Sequence, residues 1–188
     1  MTEVPELHRR AVESFGSRVH EVGDDQWNGS TPCTDWDVRT LVNHLVGESL
    51  WTVPLFEGGT IAEVGDRFDG DVLGEDPKAA WDRSAGPAVA AVQGDGAMER
   101  IVHLSFGDFP GSDYAWQLLF DYTIHSWDLG RAIGADERLD PELVEECLGW
   151  FASVEDMYRQ SGAIGERPDI PDDADPQTRL LAMTGRTA

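Results

Sequence analysis

The stretch that decides the fold is Asp121-Tyr122-Thr123-Ile124-His125-Ser126-Trp127-Asp128, which lies within a helical pattern from about Ser112 to Ile133. Residues four apart share one face of an α-helix, so the side chains of Asp121 and His125 are expected one turn apart on the same side. A carboxylate and an imidazole in this arrangement can bind one divalent cation. Two protein ligands make an incomplete site, so the pattern predicts a third ligand from another part of the chain.

His44 is the candidate for that third ligand. It lies in the middle of a second amphipathic pattern, on the same helix face as Glu48. Taken alone, His44 is more typical of a hydrogen-bonded boundary residue, and the spacing of Asp121 and His125 is more typical of an intrahelical hydrogen bond. Taken together, two imidazoles and one carboxylate are a common zinc set with one coordination position open, and they also suit nickel, iron or manganese.

Two further acidic residues are candidates for supporting these ligands. Glu48, one turn after His44, is predicted either to orient that imidazole or to replace Asp121 as a ligand. Asp128, three residues after the second histidine, is predicted to accept a hydrogen bond from the N–H of that ring. An ion pair between Asp128 and Arg131 is an equally good interpretation.

The remaining histidines and Cys33 are expected to be structural. His103 lies in a short alternating stretch and is interpreted as a boundary histidine, whereas His8 and His20 are expected to be exposed on the first helix. Cys33 precedes a helix start and is predicted to be an apolar staple residue, although a thiol at a helix N-terminus can also be activated. Within the sequence we find no Gly-rich phosphate loop, serine nucleophile elbow or paired-cysteine motif.

The composition disfavours several classes of partner. The 188 residues include 36 acidic and 14 basic ones, which gives a formal net charge of −22. A surface this acidic repels phosphate backbones and anionic lipids, so we expect neither nucleic acid nor a membrane as partner. No apolar run reaches the ~20 residues that span a bilayer, and the polar start of the chain has no signal-peptide core, so we expect a cytoplasmic protein. Whether it is a monomer or a homodimer is left open.

Helical patterns dominate the chain, and capping residues, glycines and apolar spacing define them. The predicted helices are Val4 to about Val22, a second with Thr34 as N-cap that ends near Phe56, a third from Asp76-Pro77 that ends before Gly94, Ser112–Ile133, Asp140 to about Gln160, and Pro176–Met183. Between the third and fourth helices, the alternation within Met98–Gly111 predicts a short extended piece.

This pattern predicts an all-α protein whose residues 1–188 form a single domain. The crossover Thr60–Glu75 is about twice as long as a usual loop between bundle helices. Such a length lets the second and third helices run parallel, so we expect an up-down-down-up four-helix bundle with additional C-terminal helices.

Three motifs are distributed along the chain from residue 31 to residue 186: Thr31–Leu45 (TPCTDWDVRTLVNHL), Asp121–Ala132 (DYTIHSWDLGRA) and Arg179–Arg186 (RLLAMTGR). Together they resemble the motifs of an actinobacterial metal-binding family related to mycothiol-dependent maleylpyruvate isomerase. That family is part of the wider DinB-like superfamily of four-helix bundles. The resemblance therefore implies the same up-down-down-up bundle that the long crossover predicts.

The resemblance also implies a ligand set and a chemistry. In that family the first-motif histidine and an acid-x-x-x-His pair bind a divalent metal, zinc in the isomerase, which implies His44, Asp121 and His125 as ligands here. The isomerase has Glu where this chain has Asp121, and the shorter side chain implies a metal closer to its helix. A metal held in this way keeps a bound thiol as thiolate, which attacks an electrophile. The implied function is transfer or isomerisation that depends on mycothiol or another small thiol.

Two other functions remain open from the sequence. One is a metal-assisted hydrolase, in which a bound water is the nucleophile, and the other is a non-catalytic bundle that binds a metal or a ligand. The isomerase has an additional C-terminal domain that helps to form its active site. This chain is expected to end shortly after the bundle, so maleylpyruvate itself is not the expected substrate.

Overall fold

A computed structural model describes residues 2–188 of the protein. Its helices are α1 (Val4–Glu21), α2 (Val38–Phe56), α3 (Ile61–Val64), α4 (Pro77–Val92), α5 (Gly111–Ile133), α6 (Pro141–Ser161) and α7 (Pro176–Met183). Two short strands, β1 (Ile101–Leu104) and β2 (Gly107–Pro110), form an antiparallel hairpin in which Val102 lies opposite Phe109. The extended piece predicted between the third and fourth long helices is therefore confirmed.

Four helices, α1, α2, α4 and α5, form the bundle. Both α1 and α2 pack against α4 and α5, so each helix of one pair contacts both helices of the other. The inward stripe of α2 contains Leu41 and Leu45, both fully buried, and this leaves His44 half-buried at the edge of the core. The all-α four-helix bundle predicted from the sequence is confirmed.

The start of α2 differs from the prediction. Asp37, not Thr34, is the N-cap, and its carboxylate accepts a hydrogen bond from the backbone N–H of Thr40 at 2.7 Å. The preceding residues fold into a closed loop, in which the N–H of Thr31 donates to the carbonyl of Trp36 at 3.2 Å. Because this loop occupies the residues expected to form the first helical turn, the helix begins one turn later.

The prediction that His8 is exposed is wrong. His8 is 0% exposed on α1, where its ring packs edge-on against Tyr122 of α5 at 5.7 Å between ring centroids. Neither ring nitrogen forms a hydrogen bond within residues 2–188, and burial lowers the pKa of His8 to about 3. His20 is exposed as expected, with Nε2 3.0 Å from the Asp82 carboxylate.

The crossover after α2 is fastened to that helix next to His44. Asn43 donates to the carbonyl of Gly70 at 2.9 Å and accepts from the N–H of Val72 at 2.8 Å. The crossover also contains α3, a short helix that the sequence did not predict. These contacts fix the segment of α2 that presents His44.

The chain divides into two compact units, the first up to Asp136 and the second Glu137–Ala188. In the second unit α6 packs against α7, with Cys147 and Phe151 on α6 and Leu180 and Leu181 on α7 fully buried. A single domain over residues 1–188 stays a prediction. Within residues 2–188, no helix combines the length and the apolar character needed to cross a membrane.

Candidate metal centre

His44, Asp121 and His125 converge on one point of the first unit. His44 projects from α2, and the other two project from successive turns of α5. His44 Nε2 lies 2.9 Å from Asp121 Oδ2, and His125 Nε2 lies 3.3 Å from Asp121 Oδ1. Their possible ligand atoms all lie within 4.8 Å of one another. The convergence expected from the sequence is observed, and the binding of a metal there stays a prediction.

The donor set fits a divalent cation in chemistry and spacing. Two imidazole nitrogens and a carboxylate are an open zinc set, and donors on one tetrahedral zinc lie about 3.4 Å apart. The 3.3 Å separation of His125 Nε2 from Asp121 Oδ1 is close to this value, whereas the 2.9 Å separation of His44 Nε2 from the other oxygen, Oδ2, is a direct hydrogen bond that must lengthen slightly. The side chain of Asp121 is one methylene shorter than that of Glu, and it still lies close to both histidines.

The three side chains are electrostatically coupled. Burial alone would lower the pKa of both His44 and His125, but the charge of Asp121 and its hydrogen bonds raise both above the usual value. Burial alone would raise the pKa of Asp121, but the two imidazoles hold it well below its usual range. A cation that binds here therefore has to replace protons on the two histidines.

A loop covers the candidate site from the N-terminal side of α2. The ring of Trp36 lies 5.0 Å from the ring of His44 and stacks at 5.8 Å on the ring of His125. The side chain of His125 is 10% exposed, against 31% for His44 and 32% for Asp121. His125 therefore forms the back of the site, and the other two residues form its open side.

Cys33 and Asp128 also lie at this site. Asp128 is 0% exposed, and its Oδ2 lies 2.8 Å from His125 Nδ1, the hydrogen bond that the sequence proposed as one of two readings. Cys33 Sγ donates to the same Oδ2 at 3.3 Å and lies 3.7 Å from His125 Nδ1. The apolar staple predicted for Cys33 is wrong, because the loop turns its thiol towards α5. Cys33, His125 and Asp128 form a second group of potential metal donors that shares His125 with the first.

The other candidates lie outside both donor groups. Glu48 forms no side-chain hydrogen bond to His44 among the described residues, so the orienting role is not observed. Burial and the charge of Asp121 raise the pKa of Glu48 to about 7. His103 lies on β1, where its Nδ1 is 2.7 Å from the Asp108 carboxylate across the hairpin, which agrees with a structural role.

Cys33 is the site residue that sequence reasoning missed. Its motif places it eleven positions before His44, but no pattern in the sequence indicates that the intervening loop closes over α5. The left-handed backbone of Asp35, with φ of 66°, is part of that closure and is uncommon for a residue other than glycine.

Comparison with known proteins agrees with this architecture. The sequence profile of the mycothiol maleylpyruvate isomerase N-terminal domain matches residues 8–130. Uncharacterised proteins from two strains of Mycobacterium tuberculosis, CDC 1551 and H37Rv, are each 31% identical over 186 residues, which is 96% of either chain.

Two crystal structures share the fold. One is the mycothiol-dependent maleylpyruvate isomerase, with a TM-score of 0.62 at 17% identity, and the other is a histidine-to-alanine variant of that enzyme, with a TM-score of 0.65 at 16% identity. Each match covers 87% of this chain and 72% of the isomerase. At this identity the likeness concerns the fold, and it confirms the predicted DinB-like bundle. With the sequence profile over most of its length, the chain belongs to the family of the mycothiol maleylpyruvate isomerase N-terminal domain.

Proposed function

We propose that this protein is a divalent-metal- and small-thiol-dependent transferase or isomerase. The observation that carries the proposal is the convergence of His44, Asp121 and His125, which come from two helices and lie within 4.8 Å of one another. If Asp121 and His125 had their spacing by chance, there would be no reason for a histidine of a second helix to lie at hydrogen-bond distance from Asp121. Zinc is the proposed ion, because two imidazoles and one carboxylate are a common zinc ligand set, and this set leaves the fourth position open for a further ligand.

A thiol is the proposed ligand of the open position. A bound divalent cation would act as a Lewis acid that favours the thiolate form of a small thiol. Two neutral imidazoles and one carboxylate leave a dication with net positive charge, which favours an anionic sulfur over a neutral ligand. The family relationship supports mycothiol as this thiol, and a small electrophile as the second substrate.

The side chains of the site have separate tasks in this proposal. Asp121 contacts both histidines and so holds α2 and α5 at the spacing that one cation requires. Trp36 covers the two imidazoles and limits the access of water from that side. Burial and the charge of Asp121 raise the pKa of Glu48 to about 7, and Glu48 is the proposed acceptor of the proton that an incoming thiol releases.

Cobalt-substituted protein tests the proposal. Titration with mycothiol, glutathione, bacillithiol or cysteine is expected to produce a sulfur-to-cobalt charge-transfer band with at least one of them. The Cys33→Ser variant is the control, because a band that comes from the added thiol persists when the protein's own nearby sulfur is removed.

Two other results of these experiments would favour one of the two alternative functions. Turnover of an ester or amide panel without added thiol would favour a metal-assisted hydrolase. Bound metal with neither a spectral change nor turnover would favour a non-catalytic binding protein, and either result contradicts the proposal.

A further inference from the structure

We propose that Cys33 and Asp128 are positioning residues that fix the ring of His125 with Nε2 directed towards Asp121 and the cation site. The inference rests on the proposed metal site, since it concerns one of its ligands. It adds two residues to that site, of which one comes from the loop before α2 and the other from α5.

The hydrogen bond to Asp128 decides which nitrogen of His125 is available. A neutral imidazole carries its proton on one nitrogen and offers a lone pair on the other. An ionised carboxylate can only accept, so His125 Nδ1, 2.8 Å from Asp128 Oδ2, must be the donor. Once a cation replaces the second proton of this ring, the lone pair is on Nε2, which is the nitrogen that lies 3.3 Å from Asp121.

Burial makes this arrangement strong. Asp128 is 0% exposed, and an ionised carboxylate removed from water needs hydrogen bonds in compensation. The Cys33 thiol supplies one at 3.3 Å to the same Oδ2 that accepts from His125. The loop thus holds the carboxylate, and the carboxylate holds the ring.

The loop itself is fixed, so Cys33 is presented at a defined place. The backbone N–H of Cys33 donates to Thr31 Oγ1 at 3.1 Å, and Thr31 Oγ1 donates to the carbonyl of Trp36 at 2.9 Å. The same loop places Trp36 on the rings of His44 and His125. One closed loop therefore covers the site and supports its most buried ligand.

A competing arrangement uses the same atoms differently. Cys33, His125 and Asp128 could themselves bind a cation, with His125 Nδ1 and the Cys33 thiolate as ligands. A neutral imidazole has one free lone pair, so this arrangement excludes the use of Nε2 by the same ring. The two arrangements predict different cobalt spectra and different effects of Cys33→Ser on metal affinity.

Zinc affinity, measured by competition with a chromophoric chelator, tests the positioning role. Asp128→Asn should weaken binding by roughly 10–100-fold, the usual effect of losing a carboxylate behind a metal-bound histidine. Cys33→Ser keeps a donor and should bind zinc nearly as well as wild type, whereas Cys33→Ala should bind more weakly than Cys33→Ser. Ser126→Ala is the matched control, because it removes a buried hydroxyl whose one hydrogen bond within residues 2–188 goes to the backbone carbonyl of Tyr122 on the same helix.

Nitrogen-15 NMR of the His125 ring gives a readout independent of activity. The Nδ1–H proton should be downfield and slow to exchange in both the zinc-bound and the metal-free protein, and Asp128→Asn should shift it and speed its exchange. Absence of this signal in wild type, or unchanged zinc affinity in Asp128→Asn, would overturn the proposal.

A sulfur-to-cobalt band in wild type without added thiol would overturn it as well, because Cys33 would then be a ligand. Lack of thiol-dependent turnover would contradict the proposed function and leave the NMR result standing.

Discussion

His44 and Asp121 are 77 positions apart in the chain, and their side chains meet in a hydrogen bond of 2.9 Å between Nε2 and Oδ2. This contact joins α2 to α5 on the open side of the candidate metal centre. The carboxylate also lies 3.3 Å from His125 Nε2, so one group connects both histidines. The electrostatics of the metal-free site therefore depend on Asp121, and so does the competition between protons and a cation.

Removal of the metal should destabilise the protein at pH 7.5 and have much less effect near pH 5. A cation present at one hundred times its dissociation constant stabilises the fold by about 2.7 kcal/mol, which is roughly 5–10 °C in melting temperature. The histidines must lose protons to bind it, so this stabilisation is lost as the pH falls. Thermal unfolding with and without chelator, at both pH values, measures the difference.

Without metal, the protonated histidines of the site themselves stabilise the protein at low pH. The pKa values of His44 and His125 are raised, so their interaction with Asp121 is fully present below about pH 6.5 and is lost as the pH rises through the raised values. The lowered pKa of Asp121 gives a contribution that is present above about pH 4 and lost below it. An equal chelator effect at pH 5 and pH 7.5 would contradict this account.

Substitution of Asp121 should separate the length of the ligand from its charge. Asp121→Glu keeps the carboxylate and should retain part of the zinc affinity. Asp121→Asn keeps the length but removes the charge, and should weaken binding by more than the roughly 100-fold that loss of a supporting residue costs. Competition titrations with a chromophoric chelator give both values, and an asparagine variant that binds as tightly as the glutamate variant would exclude Asp121 as a charged ligand.

Replacement of His8 by leucine should stabilise the protein, and more so in acid. A buried polar group without a hydrogen bond costs about 1–3 kcal/mol of stability. Leucine is of similar size to histidine and has no such group. Burial lowers the pKa of His8 to about 3, from an ordinary value of about 6.5, because the folded protein accommodates only the neutral ring. The free energy of unfolding therefore decreases as the pH falls from about 6.5 towards 3. At pH 5 this loss is about 2 kcal/mol.

Urea unfolding of His8→Leu and wild type at pH 5 and pH 8 measures the gain at each pH. His20→Leu is the control, because His20 is exposed and its replacement should not give the same pH-dependent gain. A gain from His8→Leu that is no larger at pH 5 than at pH 8 would show that His8 is not buried in the neutral form.

The start of α2 can be tested by two matched alanine substitutions. Asp37→Ala should cost about 1 kcal/mol, because the carboxylate caps the helix through the N–H of Thr40. Thr34→Ala should cost much less, since Thr34 lies in the loop and does not cap α2. Chemical denaturation of both variants measures the two costs, and the reverse order would restore Thr34 as the cap.

The sequence predicted what depends on local spacing. The helix α5 and its pair Asp121 and His125 follow from an i, i+4 relationship, and the apolar stripe of α2 places His44 at the edge of the core. Asp128 is likewise within one turn of His125, so its hydrogen bond was one of the interpretations. These relationships require only that each segment is helical and amphipathic.

What the sequence did not predict depends on contacts between distant segments. Thr34 and Asp37 are both good capping residues, and the choice between them is made by the loop hydrogen bond from Thr31 to Trp36. The thiol of Cys33 meets Asp128 only because that loop folds over α5. Histidine is a polar residue that is expected at the surface, and His8 is buried because α1 packs against Tyr122. None of these contacts has a periodic signal in the chain.

Metal content tests the central claim most directly. Protein purified without a metal-affinity tag should contain one divalent ion per chain by elemental mass spectrometry, as expected for a single three-ligand site. The His44→Ala/His125→Ala double variant should contain none, while His103→Ala, a histidine outside both donor groups, should retain the wild-type content. A double variant that keeps the ion would contradict the account, because the metal would then be held elsewhere than by His44, Asp121 and His125.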